Sequence, residues 1–134
     1  MHRLFGAWKL PDELRAELER EGVLALDEGV RGSATYRNFR APWRYSKWRR
    51  EWYTASVVVT RVRLLALRRS LRIVNVPFDD ARFRGLQFSL EAPDRLLVAF
   101  DASLFQDNWS GTIEYRFRTN QAQKILDVLR GRVA

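Results

Sequence analysis

The stretch YTASVVVTRVRLLALRRSLRIVNV (residues 53–76) reads as three strands joined by two tight reversals. Ser56 to Thr60 is a β-branched run, Leu64 to Leu67 follows, and Leu71 to Val76 returns. Arg61-Val62-Arg63 and Arg69-Ser70 are the polar reversal points. Short apolar and β-branched runs broken by such points predict an antiparallel meander rather than helices.

Working outward, both flanks repeat the pattern. Residues 23–39 (VLALDEGVRGSATYRNF) predict one or two strands with a bend. Pro42 lacks a ladder donor, so residues 41–50 read as a loop or an edge. On the C-terminal side Leu86, Phe88 and Leu90 alternate inward. Ala92-Pro93-Asp94-Arg95 reads as a turn with proline at its second position. Leu96 to Phe100 returns, and Ile113, Tyr115 and Phe117 alternate with Glu114, Arg116 and Arg118, which face water.

Two helices bracket the strands. Leu10-Pro11-Asp12-Glu13 starts a thin amphipathic helix over about 11–21, terminated near Gly22. After Thr119 or Asn120 as cap, Ala122, Ile125, Leu126 and Leu129 recur at helical spacing, so a second helix spans about 120–131 and ends near Gly131. A bent antiparallel sheet leaves an open end, which this helix can stopper. Ile125, Leu126 and Leu129 would each contribute roughly 1.5–3 kcal/mol if fully buried. The expected fold is mainly β (α+β): one domain over 1–134, a bent antiparallel sheet or partly open barrel of about seven strands capped by the C-terminal helix.

Length and composition agree. The chain has 134 residues and 46% apolar content, enough for one core. No apolar run reaches the length of a spanning helix, and MHRLFGAWKLPDELR lacks the apolar segment of a secretory signal. The absence of cysteine excludes disulfides and thiolate metal sites and fits a cytoplasmic protein.

The net charge of +8 is uneven. Residues 31–84 hold 14 basic and 3 acidic side chains, and the basic ones across the chain are nearly all arginine. Arginine supplies a planar fork for phosphate or carboxylate and stacks on rings, although arginine enrichment also follows from a GC-rich genome. The charge is densest in YRNFRAPWRYSKWRREWY (residues 36–53), with seven aromatic and six basic residues against Glu51. That mixture suits a partner that is anionic and partly apolar, such as a lipid surface or a nucleic acid. Trp52 and Tyr53, leading into the valine run, read as packing residues, as do Tyr36 and Phe39. Trp43 and Trp48, flanked by charge, read as partly exposed. The candidate partner-binding residues are Arg37, Arg40, Trp43, Arg44, Lys47, Trp48, Arg49 and Arg50.

No catalytic set is recognisable. His2 is the sole histidine, Asp79-Asp80 point to opposite faces of a strand or open a turn, and Asp101 and Asp107 carry no ligand spacing. No metal or cofactor is expected.

Two short segments resemble the pleckstrin-homology (PH-like) superfold, in particular bacterial PH-like and GRAM-type domains. VVVTRVRLLAL (57–67) is similar to an "LT-x-x-RL" hairpin through Thr60, Arg63 and Leu64. IVNVPFDD (73–80) is similar to an "I-x-x-(I/V)-P-(Y/F)-x-D" segment through Val76, Pro77, Phe78 and Asp80. The resemblance spans about residues 23–132 and implies a binding scaffold rather than an enzyme. The expected partners are, in order, an anionic membrane surface or headgroup at the inner face of the membrane, another protein or a second copy of the chain, and nucleic acid.

Overall fold

A computed structural model describes residues 9–133; His2 lies outside them. Seven antiparallel strands form one bent, unclosed sheet in the order β4-β3-β2-β1-β7-β6-β5. They are β1 (Val23–Ala41), β2 (Arg44–Thr60), β3 (Arg63–Arg68), β4 (Leu71–Pro77), β5 (Gln87–Ala92), β6 (Arg95–Asp101) and β7 (Ser110–Arg118). Helix α1 (Asp12–Glu21) precedes them and α2 (Ala122–Val133) follows. The reversals at Arg61–Val62, Arg69–Ser70 and Pro93–Asp94 fall where the turn chemistry puts them.

Two features of the first hairpin depart from expectation. Residues 23–41 form one strand of 19 residues, irregular between Asp27 and Val30, where Gly29 takes φ 64°. Residues 44–50 are strand rather than loop, because Pro42 and Trp43 alone make the turn and Arg44 pairs with Ala41. Proline thus sits in the turn, where its missing donor costs nothing. The edge part of the expectation holds, since β3 pairs only with Ala55–Val59 of β2.

The concave side carries the main core. Val57, Val59, Leu64, Val74, Leu96, Val98 and Phe117 meet Ala122, Ile125, Leu126 and Leu129 of α2. Ile125 and Leu129 are fully buried, so the helix stoppers one end of the sheet. Thr119 caps it through a bond from Gln121 N (3.0 Å). The helix begins at Ala122 and runs through Gly131 to Val133, two residues past its expected end. Gly131 has open space around it and no tertiary contact forces termination there.

The valine run has partners on both faces. Val57 and Val59 face the core, whereas Val58 joins Leu65 and Leu67 on the outer face under Leu10 and Leu18 of the α1 segment. A strand buried on both sides reads as a continuous apolar run, which is why VVV shows no alternation. Polar contacts fix α1 in place. Thr60 Oγ1 accepts from Val62 N and Arg63 N and donates to Glu21 (2.8 Å). Arg63 Nε donates to the same carboxylate at 3.1 Å. Asp80 caps a short 3₁₀ turn at Ala81–Gly85; the Asp79-Asp80 pair thus lies in the turn, two residues after β4 ends at Pro77, rather than ending the strand itself.

Candidate functional site

The β1–β2 hairpin runs past β3, whose pairing with β2 stops at Ala55, while β7 follows β1 as far as Arg40, and the two faces of the hairpin meet different surroundings.

On the concave side, opposite α2, the sheet leaves a cleft of about 730 Å³. Its walls are rings in edge-on or tilted contact. Phe39 meets Tyr36 and Trp109 at 5.2 Å between centroids, and Phe100 meets Phe105 at 5.3 Å and Tyr115 at 5.6 Å. Edge-to-face pairs of this kind hold a rigid apolar wall. Four arginines, Arg44, Arg49, Arg68 and Arg72, line the same cleft, and no acidic side chain does among the described residues. Arg49 lies over the Tyr36 ring at 4.5 Å. Glu51 tethers Arg68 at 2.9 Å and Arg49 at 3.5 Å, leaving Arg44 and Arg72 with no carboxylate partner among the described residues. Burial, ahead of any charge, pushes the phenols of Tyr36 and Tyr115 above their ordinary range, as expected for rings in an apolar wall.

Trp43 stands at the rim of this cleft, at the hairpin tip. Its φ is +64°, and its side chain is entirely in solvent, with a relative exposure of 102%. Proline followed by a residue at positive φ is the type II arrangement, whose third position favours glycine or asparagine. A bulky side chain there costs roughly 1–2 kcal/mol. Nothing in the fold repays that cost, because the ring touches no core.

The opposite, outer face of the sheet carries a second feature. Trp48, Arg50 and Trp52 alternate along β2 on this face. The Arg50 guanidinium lies 5.3 Å from the Trp48 ring and 5.9 Å from the Trp52 ring, and Arg31 on β1 lies 5.7 Å from Trp52. Each such contact contributes roughly 0.5–1 kcal/mol at an exposed site. The ladder keeps the guanidiniums ordered without neutralising them.

The sequence-derived site residues therefore divide. Trp43, Arg44 and Arg49 line the concave cleft. Arg50 lies on the outer face with Trp48, and so does Arg37, which pairs with Glu114 at 3.2 Å. Arg40 covers the Tyr45 ring (4.5 Å) near the tip, and Lys47 is exposed beside it. Trp43 and Trp48 are exposed as expected, but Trp52 is exposed too, at 62%, rather than packed. Period-2 alternation accounts for it: Tyr53 shares a face with the core residues Ala55 and Val57, which leaves Trp52 on the other. Tyr53 is a packing residue against the core and donates to Ser33 O at 3.1 Å.

Sequence reasoning missed the rest of both sites. Arg68, Arg72, Phe105 and Trp109 reach the cleft from β3, β4 and the β6–β7 connection. Arg95, Arg116 and Arg118 reach the outer face from β6 and β7. The one signal available was the Glu114-Arg116-Arg118 alternation, which gives a face but not a neighbour. Among the described residues no group of histidine, cysteine or carboxylate side chains is arranged to hold a metal ion. No described helix is long and apolar enough to cross a membrane. No protein-family model matches this chain, and no curated protein matches it.

Proposed function

We propose that this protein is a non-catalytic binding module of PH-like type that engages an anionic membrane surface through the tip of the β1–β2 hairpin. The observation that carries the reading is Trp43, held at positive φ, fully exposed, and flanked in sequence by the exposed Arg40, Arg44 and Lys47. An indole at this position gains nothing from the fold and is suited to the headgroup layer, where tryptophan is enriched. Each flanking cation contributes on the order of 1 kcal/mol near an acidic bilayer. The aromatic, arginine-bearing cleft beneath the tip suits the anionic headgroup and upper acyl segment of one lipid.

Co-sedimentation with phosphatidylglycerol- or cardiolipin-rich vesicles tests the reading, with neutral vesicles as reference. Binding to the acidic vesicles at low salt, weakened by added salt, is the expected result. Equal sedimentation with both vesicle types would end the proposal.

A second reading, a protein partner or a second copy of the chain, rests on the β2 edge. Residues 44–53 have no strand paired on the side away from β1, so main-chain groups remain there for strand addition. Their arginine and lysine side chains oppose this, as charged edges do. Light scattering that shows a monomer at all concentrations would remove self-association.

A further inference from the structure

The outer face holds a depression of about 280 Å³ that the hairpin reading does not use. Five arginines line it: Arg31, Arg50, Arg95, Arg116 and Arg118. They come from β1, β2, β6 and β7, adjoining through the β2-β1-β7-β6 order. Glu91 is the only acid in the lining among the described residues.

The local bonding does not neutralise this charge. Arg116 is held by Glu91 in a bidentate pair (2.7 and 3.0 Å) and lies 3.0 Å from Glu114. Arg118 reaches Asp94 only at 3.4 Å. Arg31, Arg50 and Arg95 form no ion pair among the described residues, and Arg50 and Arg95 share the Glu91 carboxylate with Arg116 only through longer-range attraction. Arg50 Nε (2.9 Å) and Arg116 Nη1 (3.2 Å) converge instead on the buried hydroxyl of Thr35, a neutral acceptor. Two guanidinium forks normally meet on a carboxylate or phosphate, where the bonds are charge-assisted. Here Arg116 has Glu91 as well, but the only described hydrogen bond of Arg50 goes to an oxygen that returns no charge.

Ring packing explains part of the cluster. Arg31 and Arg50 belong to the tryptophan ladder, and an exposed arginine on such a ladder needs no other role. Arg95 and Arg118 do not stack on a ring in any described contact, yet they complete the same depression. The Ser33 hydroxyl in its wall is also buried with no hydrogen-bond partner among the described residues. Several like charges gathered around a small concavity, with polar groups left over, favour a compact counter-anion.

We propose that this depression binds a compact soluble anion carrying two or more phosphate groups. Its volume lies at the lower end of small-ligand sites, which favours an oligophosphate-sized ligand over a polymer. Five arginines around a single glutamate in the lining leave more positive charge than one phosphate brings. The site faces away from the concave cleft and involves neither Trp43 nor Arg44.

Isothermal titration of the full chain with monophosphate, pyrophosphate and tripolyphosphate at constant ionic strength tests the proposal. One-to-one binding that tightens along that series is expected. The double variant Arg31→Ala/Arg95→Ala should weaken tripolyphosphate roughly tenfold or more, because both side chains are exposed and lost charge-assisted bonds dominate. Arg44→Ala should leave it unchanged while weakening vesicle attachment, which separates this site from the hairpin tip. Equal affinity for the three phosphates, no binding beyond ionic strength, full retention by the double variant, or loss in Arg44→Ala would each overturn it. Circular dichroism of the double variant confirms that any loss is not unfolding.

Discussion

The Thr119 hydroxyl donates a 2.6 Å hydrogen bond to the Asp27 carboxylate, joining the last turn before α2 to the bend of β1 across 92 positions of sequence. Both residues are buried. Thr119 also accepts from Gln121 N as the helix cap, and its own N–H donates to Asp94 O at the β5–β6 turn (2.8 Å). One residue therefore links the stopper and the first strand through its side chain and the far hairpin through its backbone N–H.

Replacing Thr119 by valine keeps the shape and removes the hydroxyl. The cap is lost and the Asp27 carboxylate loses a buried donor, so unfolding free energy should fall by about 1–3 kcal/mol. Thr119→Ser should retain most of the stability. Urea midpoints of the two variants measure the difference.

The stopper itself is tested by Ile125→Ala and Leu129→Ala. Both side chains are wholly buried against the sheet. Each truncation should cost about 2–5 kcal/mol, from lost transfer energy and the cavity left behind. Exposed Gln123→Ala on the same helix should change the urea midpoint little.

Gly111 opens β7 at φ +99°, where β1 carries its irregularity between Arg37 and Arg40. A Cβ there would lie 2.4 Å from Asn38 O and 2.6 Å from Arg37 O, both backbone atoms. Gly111→Ala should destabilise by about 3 kcal/mol or more, since neither strain nor clash can be relieved by a side-chain shift. Thermal unfolding followed by circular dichroism reads this directly.

Trp43→Gly should separate stability from attachment. Glycine adopts the observed turn without strain, so the variant should fold within about 1 kcal/mol of the parent. Its binding to acidic vesicles should drop several-fold. Arg44→Ala should weaken attachment about fivefold at low salt and little at high salt. Tryptophan emission that stays unshifted on adding vesicles to the parent would contradict insertion.

Acid should reveal the Glu91–Arg116 pair. The bidentate bond from Arg116 holds the Glu91 carboxyl below its ordinary range despite partial burial, and Arg82 holds Asp80 down to about 2. With folded pKa values depressed, the unfolded chain takes up protons first. The stabilisation is complete above the ordinary carboxylate value of about 4 and disappears as pH falls through the lower folded values. Stability should therefore decline on acidification below about pH 4.5, and the decline should be shallower in Glu91→Gln. Urea midpoints between pH 6 and pH 2 compare the two.

The parts are legible in the amino-acid sequence: about seven strands, two bracketing helices, the turn at Pro93 and the stopper of Ile125, Leu126 and Leu129. These are local properties, set by periodicity, turn chemistry and caps acting over a few residues. The sequence also marked the 36–53 segment as unusual, and the exposure of Trp43 and Trp48 followed from their charged flanks. The length of the first hairpin was hidden, because Pro42 argues equally for a loop and for the turn of a long ribbon. Which side chains share a face across strands follows from the pairing of distant strands instead. Alternation tells that Arg116 and Arg118 point outward, but not that β7 lies beside β1 and sets them next to Arg31 and Arg50. That pairing joins residues some 80 positions apart, and it is settled by burial of the whole sheet against α2, a property that no short window of sequence contains.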